Sequence, residues 1–152
     1  MSCTPNAQAY LLSSAAASGD LRMVTAAVCS QPRVLVVDDD PHFRELTRNL
    51  LSSSGISTAE AESGRDALVY LKAHSLEVQA VIVDMVMPDC DGLEVIRNIR
   101  DSFNHLKVLA VSGADARELY LHVSSYLGAD SVLPKSRVEL LAAKVFELLS
   151  RG

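Results

Sequence analysis

Short apolar runs and helix-like segments follow one another through most of this 152-residue chain. Three of the runs, VLVV, AVIV and VLAV, lack the polar residue at every second position that a half-exposed strand shows. Strands covered on both faces of a parallel sheet have this pattern. Parallel neighbours also need crossover connections, which are usually helical. The strand–helix pattern, repeated five times, therefore predicts an α/β fold: a five-stranded, doubly wound parallel sheet with flanking helices.

The pattern begins near residue 32, and the preceding segment is rich in Ala and Ser and poor in charge. We therefore expect a flexible extension over residues 1–31 and one domain over 32–152. No apolar run approaches the roughly 20 residues of a membrane span. No basic residue precedes Arg22, so a signal peptide would lack its charged start. Three cysteines without metal-ligand spacing favour a reducing interior, and we expect a cytoplasmic protein.

The overall charge restricts the class of partner. A net charge of −5 argues against non-specific binding to nucleic acid, which needs a basic face. The same charge is compatible with binding a cation or a basic patch on another protein. We therefore expect neither a nucleic acid nor a membrane among the partners.

Polar side chains follow four of the five predicted strands. They are Asp38 and Asp39 after strand 1, Asp84 at the end of strand 3, Ser112 at the end of strand 4 and Lys135 after strand 5. The carboxyl ends of parallel strands share one edge of the sheet, where sites form, so these groups should converge. Bare carboxylates would raise one another's pKa, and a divalent cation removes that conflict. Hard oxygen ligands favour Mg²⁺.

A carboxylate beside Mg²⁺ indicates phosphoryl chemistry. The carboxylate can attack phosphorus and form an aspartyl phosphate. Such a transfer needs positioning and neutralisation of the charge on the phosphoryl oxygens, which Lys135 and Ser112 would share with the cation. Asp40 is interpreted differently, because it suits the N-cap of the next helix, with Pro41 at the first helical position.

Four motifs in register, VLVVDDDP, VDMVMPDCDG, VSG and ADSVLPK, resemble the response-regulator receiver domain of two-component signalling. The resemblance covers about residues 33–150 and implies a flavodoxin-like sheet of strand order 2-1-3-4-5. It also implies a role for each residue of the site. Asp84 would be the phosphoacceptor, Ser112 the switch hydroxyl and Lys135 the phosphate-binding lysine, with Asp38, Asp39, Asp84 and the Val86 carbonyl holding Mg²⁺.

The resemblance further implies the partners. The phosphoryl donor would be a histidine kinase or a histidine phosphotransfer protein. No effector domain follows the last predicted helix, so we expect the output to be binding of an unidentified downstream protein rather than enzymatic turnover. In such domains the partner face is formed by helix 4, strand 5 and helix 5. Residues expected around that face are Arg117, Tyr120, His122, Arg137 and Lys144.

Some positions depart from the pattern of the family. Val132 stands where receivers usually carry an aromatic residue, which puts the usual output coupling in doubt. Ser136 replaces the proline that usually follows the lysine, which leaves the isomer of that peptide bond open. Val86 and Ala114 occupy positions where polar side chains can help to position water for hydrolysis. We therefore expect a long-lived phosphorylated form.

Two alternatives remain open at the level of sequence. A receiver-like protein that binds its partner constitutively would be consistent with Val132. A phosphatase of the haloacid-dehalogenase type would use the Asp38-x-Asp40 pair as its D-x-D motif. That family needs a further acidic cluster after the lysine, and here only Glu139 and Glu147 follow, both in the last predicted helix.

Overall fold

The computed structural model describes residues 31, 33–88, 92–113, 122 and 125–151. Its strands are β1 (Arg33–Val37), β2 (Ser57–Ala61), β3 (Val78–Asp84), β4 (Lys107–Ser112) and β5 (Ser131–Pro134). Its helices are α1 (Pro41–Ser53), α2 (Gly64–His74), α3 (Gly92–Ser102) and α4 (Leu141–Ser150), the last preceded by a 3₁₀ segment (Lys135–Leu140). No described helix has the length and apolar character needed to cross a membrane.

All five strands are parallel and form one sheet of order β2-β1-β3-β4-β5, which confirms the predicted fold. The order reverses beside β1, whose two neighbours in the sheet are β2 and β3. Val37, the last residue of β1, is in register with Val83 of β3. The chain therefore leaves β1 directly beside the carboxyl end of β3, at the position where open α/β sheets form sites.

The core consists of two apolar layers, one on each face of the sheet. Leu35 and Val37 of β1 pack in the layer that α2 and α3 cover. Val34 and Val36 pack in the opposite layer, against α1 and α4. All four side chains are fully buried, and each contributes roughly 1.5–3 kcal/mol through removal from water. Burial on both faces explains why this run contains no polar residue.

The boundaries of α1 agree with the signals in the sequence. The Asp40 carboxylate caps the helix by accepting a hydrogen bond from the His42 N–H at 2.9 Å. Gly55, just past the end of the helix, has a φ of 77°, which favours glycine. The buried face of α1 does not contain all of its most hydrophobic residues, because Thr47 is buried and Leu46 is 43% exposed.

The last helix starts later than the spacing of its apolar residues predicts. We expected helix from Arg137 onward, but α4 begins at Leu141. A 3₁₀ segment precedes it, and Arg137 has the non-helical angles φ −116° and ψ 34°. The chain therefore turns tightly before the α-helix begins, and short 3₁₀ turns are common at such ends.

Several predicted features lie outside the described residues. The expected extension lies outside them except for residue 31, and so do the segment 89–91 and Ala114. Most of the predicted fourth helix, including Arg117 and Tyr120, is outside them as well. The bounds of the extension and of the domain remain predictions.

Candidate functional site

Three carboxylates gather where β1 and β3 end. Asp38 and Asp39 follow β1, and Asp84 is the last residue of β3. One oxygen from each carboxylate lies within 4.8 Å of the other two. Asp38 and Asp84 are buried, whereas Asp39 is exposed to solvent. The pocket that these acids form is therefore open to solvent on the side of Asp39.

Backbone hydrogen bonds fix the orientation of the two buried acids. The Asp38 N–H donates to the carbonyl of Ala61 at 3.1 Å, which ties the residue to the end of β2. The Asp38 carboxylate accepts from the Asp40 N–H at 2.9 Å. The Asp84 carboxylate accepts from the Val86 N–H at 3.3 Å. Each acid keeps its second oxygen directed toward the pocket and its lysine.

Lys135 brings a positive charge into the cluster from the end of β5. Its ammonium lies 2.6 Å from the Asp38 carboxylate and 3.2 Å from the Asp84 carboxylate. The same ammonium lies over the Phe43 ring, 4.4 Å from its centroid. Attraction to the face of the ring adds to the two ion pairs. Sequence and structure thus agree that these acids and this lysine belong to one pocket.

The ionisation of the cluster reflects its burial. Burial raises the pKa of Asp38, against the lowering effect of Lys135. Burial and the neighbouring charge of Asp38 raise the pKa of Asp84. Burial alone would lower the pKa of Lys135, but the two carboxylates outweigh it and raise that pKa. Three carboxylates share this pocket with Lys135, so the negative charge of the ionised acids exceeds the positive charge of the lysine, a condition that favours a bound cation.

Ser112 and Val86 border the acids. Asp84 is in register with Val111 of β4, so Ser112 comes one residue beyond that pair. Ser112 is fully buried, and within the described part of the chain its hydroxyl donates a long hydrogen bond of 3.4 Å to the Gly113 carbonyl. The Val86 side chain is about half exposed. The hydrogen bond between Ser112 and Gly113 is too long to be strong.

Gly92 allows α3 to begin against the end of β3. A Cβ at this position would overlap the carbonyl oxygen of Asp84 and would lie 2.7 Å from the Met85 Cα. Only glycine permits this approach of two backbones. The first residue of α3 is therefore in direct contact with the residue that carries the central carboxylate.

Three residues near the pocket were not predicted from the sequence. Phe43 lies under the Lys135 ammonium, Arg44 donates to the Asp38 carbonyl at 2.7 Å, and Glu60 accepts from Arg44. The only signal in the sequence was that Phe43 and Arg44 fall in the first turns of the helix that follows the acids.

A family model for the response regulator receiver domain matches residues 34–145, which is most of the chain. The chain belongs to the response regulator receiver domain family. The matched segment includes the three acids and the lysine of the pocket.

Known receivers and response regulators resemble this one in sequence and structure. Response regulator MprA of Mycolicibacterium vanbaalenii is 39% identical over 121 residues, or 78% of this chain and 51% of MprA. The chain therefore spans about half the length of that relative. The crystal structure of response regulator TrrA from Thermotoga maritima, in complex with Mg²⁺ and BeF, is 36% identical with a TM-score of 0.67. It covers 78% of this chain and 99% of TrrA.

A second solved structure gives the same result. The receiver domain of Francisella response regulator 1452 is 26% identical, with a TM-score of 0.71 over 80% of this chain and 98% of that domain. The fold of this receiver thus matches both a close and a more distant relative.

Two positions depart from the usual receiver pattern, as the sequence indicated. Val132, on β5, is partly buried and packs against the apolar layer beneath α2 and α3. The peptide bond that joins Lys135 to Ser136 is trans, as are all described peptide bonds. The replacement of proline by serine is therefore accommodated without a cis bond.

Proposed function

We propose that this receiver accepts a phosphoryl group on Asp84 and thereby changes its affinity for a protein partner. The observation that carries the proposal is the position of Asp84. Its carboxylate is buried, lies 3.2 Å from the Lys135 ammonium, and shares a pocket with Asp38 and Asp39. An isolated helix-capping or turn aspartate would have no need of these neighbours.

The residues of the pocket fit Mg²⁺. The donors are carboxylates, hard oxygen ligands that Mg²⁺ prefers. Burial raises the pKa of the two inner acids, Asp38 and Asp84. We infer that Asp38, Asp39, Asp84 and the Val86 carbonyl would hold the ion. When bound, Mg²⁺ would neutralise charge on a phosphoryl oxygen. TrrA, a relative whose structure includes Mg²⁺ and BeF, supports this assignment.

The proposed reaction transfers a phosphoryl group from a phosphohistidine. An Asp84 carboxylate oxygen attacks phosphorus, so a P–O bond forms while the P–N bond to the donor imidazole breaks. The imidazole nitrogen keeps the electron pair and takes up a proton. Lys135, already within reach of Asp84, would pair with one phosphoryl oxygen, and the Ser112 hydroxyl would donate to another. A histidine kinase or a histidine phosphotransfer protein would be the donor.

The output is proposed to be altered binding to a downstream protein. Phosphorylation would shift an equilibrium between two states of the face that includes β5 and α4. His122, Arg137 and Lys144 are the members of this predicted face that lie among the described residues. Arg137 pairs with Glu139 and Lys144 with Glu147, so much of the basic charge on this face is locally balanced.

Slow loss of the phosphoryl group is part of the proposal. The Val86 side chain, two residues past Asp84, is a half-exposed hydrocarbon that cannot orient a water molecule for attack. The phosphorylated form should therefore persist. Rapid spontaneous release of phosphate by the purified protein would contradict this part of the proposal alone.

A second candidate function is constitutive binding without a switch. Val132 favours it, because a partly buried valine cannot make the rotamer change of the aromatic residue usual at this position. Beryllofluoride, a phosphoryl mimic, distinguishes the two. Partner affinity that is unchanged by beryllofluoride and Mg²⁺ would favour the constitutive binder.

The phosphatase alternative is less compatible with the geometry. Its D-x-D motif would place Asp40 beside Asp38 at the reaction centre. The Asp40 carboxylate instead caps α1 through the His42 N–H. Steady turnover of a phosphate monoester by the purified protein would restore this candidate.

The central experiment is a phosphotransfer assay with Mg²⁺. The unsubstituted protein and Asp84→Asn are incubated with a phosphorylated histidine phosphotransfer protein, and labelling is followed by intact mass. We expect stoichiometric, acid-labile labelling of the unsubstituted protein and none of Asp84→Asn. Labelling that survives the substitution would move the acceptor to another residue. Asp101→Asn, on the exposed end of α3, is the matched control.

A further inference from the structure

Arg44, in the first turn of α1, connects three parts of the fold beside the acidic pocket. Its Nη1 donates to the Asp38 carbonyl oxygen at 2.7 Å, and its Nε donates to the Glu60 carboxylate at 3.2 Å. Glu60 lies on the edge strand β2. Only 14% of the Arg44 side chain is exposed. The guanidinium thus links α1 and β2 to the peptide group that joins Asp38 to Asp39.

The orientation of this peptide group matters for the pocket. The Asp38 carbonyl and the Asp39 N–H lie in one rigid plane, so the hydrogen bond from Arg44 sets the direction in which the chain enters Asp39. The peptide on the other side of Asp38 is held separately, by the bond from the Asp38 N–H to Ala61. Asp39 is exposed to solvent, so burial does not fix its direction as it does for Asp38 and Asp84. The contact from Arg44 therefore orients the backbone of the one acid that packing does not hold.

The charge of Arg44 would oppose a cation in the pocket if it were not balanced. Glu60 supplies the balance, since its carboxylate accepts from Arg44 and, through the other oxygen, from Arg48 at 2.8 Å. Arg48 pairs with Glu60 in a solvent-exposed position, about half of its side chain being accessible. Arg44 and Arg48 thus share one carboxylate, but only Arg44 is described as bonded to the Asp38 carbonyl.

We propose that Arg44 is a positioning residue for the cation site, and that Glu60 orients it and balances its charge. The inference rests on the proposed Mg²⁺ site and adds to it two residues that do not touch the ion. Residues that hydrogen-bond to metal ligands without touching the metal typically lower the metal affinity about tenfold or more when they are removed. The role is thus measurable as binding of the metal alone, without any phosphoryl donor.

The test is the Mg²⁺ affinity of the full chain, measured by isothermal titration calorimetry, together with thermal unfolding in the absence of Mg²⁺. We expect Arg44→Gln to raise the Kd about tenfold. Arg44→Lys should recover part of the affinity, because lysine keeps the positive charge. Its single ammonium cannot reproduce the planar geometry in which the guanidinium binds the Asp38 carbonyl and Glu60 together. Arg48→Gln is the matched control, and its Kd should equal that of the unsubstituted protein.

Glu60→Gln gives an independent measure of the charge argument. It should also weaken Mg²⁺ binding, and more strongly at low salt, because an unbalanced guanidinium then repels the cation with less screening. A Glu60→Gln effect that does not vary with salt would overturn the charge-balancing role of Glu60.

Other outcomes overturn the positioning role. An unchanged Kd in Arg44→Gln would do so, even if the variant unfolds at a lower temperature, because that pattern marks a purely structural contact. Equal losses in Arg44→Gln and Arg48→Gln would place the effect at Glu60 rather than at the Asp38 carbonyl. If Arg44→Gln fails to fold, Arg44→Lys decides, and an unchanged Kd there rejects the role. Absence of Mg²⁺ binding by the unsubstituted protein would reject this inference and the proposed cation site together.

Discussion

The Lys135 ammonium lies 2.6 Å from the Asp38 carboxylate, closer than its 3.2 Å approach to Asp84. The lysine therefore pairs most closely with a residue that we assign to the cation, and less closely with the proposed phosphoacceptor. Binding of a cation by Asp38 would weaken the closer pair and leave Lys135 available to Asp84. The following predictions test this arrangement.

Replacing Asp84 by Asn should stabilise the protein at neutral pH without Mg²⁺. The pKa of Asp84 is raised above its ordinary value of 3.8, so the folded state binds more protons than the unfolded state between 3.8 and the raised value. The free energy of unfolding then falls as pH increases through that window. Asn carries no charge and escapes this penalty.

The measurement for Asp84→Asn is urea unfolding at pH 7 and near pH 3. The gain in stability should be present at pH 7 and absent at the acidic pH, where the Asp84 carboxyl is protonated in both the folded and the unfolded protein. A variant that is less stable than the unsubstituted protein at pH 7 would show that the ion pair with Lys135 outweighs burial.

Lys135→Met should destabilise the fold and abolish phosphotransfer. It would leave two buried carboxylates without their shared cation, at a cost of about 1–3 kcal/mol. The pKa of Lys135 is raised, so its contribution to stability is complete below 10.5 and is lost only as pH rises through the higher folded value. Lys144→Met, which removes the exposed pair with Glu147, should change little. Equal stability of the two variants would contradict the role of Lys135.

Mg²⁺ should raise the thermal stability of the protein, and chelation should reverse the effect. A ligand that binds only the folded state stabilises it by about 2.7 kcal/mol at a hundred times its Kd. Asp39→Asn should remove the response with little effect on the metal-free protein, because Asp39 is exposed. A melting temperature that does not depend on Mg²⁺ would argue against the cation site.

Thr47→Val should stabilise the protein by about 1 kcal/mol, because it removes a buried polar atom and keeps the shape of the side chain. Within the described part of the chain, the Thr47 hydroxyl is fully buried and has no hydrogen-bond partner. Thr47→Ala, which also deletes a methyl group, should destabilise. Loss of stability in Thr47→Val would indicate that the hydroxyl has a partner, such as a bound water molecule.

The fold could be predicted largely because the runs VLVV, AVIV and VLAV within β1, β3 and β4 are buried on both faces and contain no polar residue. The position of the pocket followed from one rule of parallel sheets, since Asp38, Asp84 and Lys135 all come at strand ends. The sequence also placed the cap of α1 correctly, because Asp40 followed by Pro41 satisfies local backbone requirements alone.

What could not be predicted depends on contacts between distant residues. Arg44 bonds to Glu60 only because β2 lies next to β1 in the sheet, and nothing local distinguishes Arg44 from Arg48. Thr47 is buried because it lies four residues after Phe43 and four before Leu51, on the inner face of α1. Leu46 falls outside that row and is exposed. The late start of α4 at Leu141 could not be predicted, because the apolar spacing does not distinguish the preceding 3₁₀ segment from an α-helix.

The contact of Gly92 with the Asp84 carbonyl has a mechanical consequence. A side chain at position 92 would collide with the Asp84 carbonyl, so the backbone at the start of α3 lies close against the end of β3. A displacement of the Asp84 backbone toward α3 must be followed by the helix itself. The α3 helix would then transmit a shift of the backbone at the acidic pocket to the protein surface on that side of the sheet.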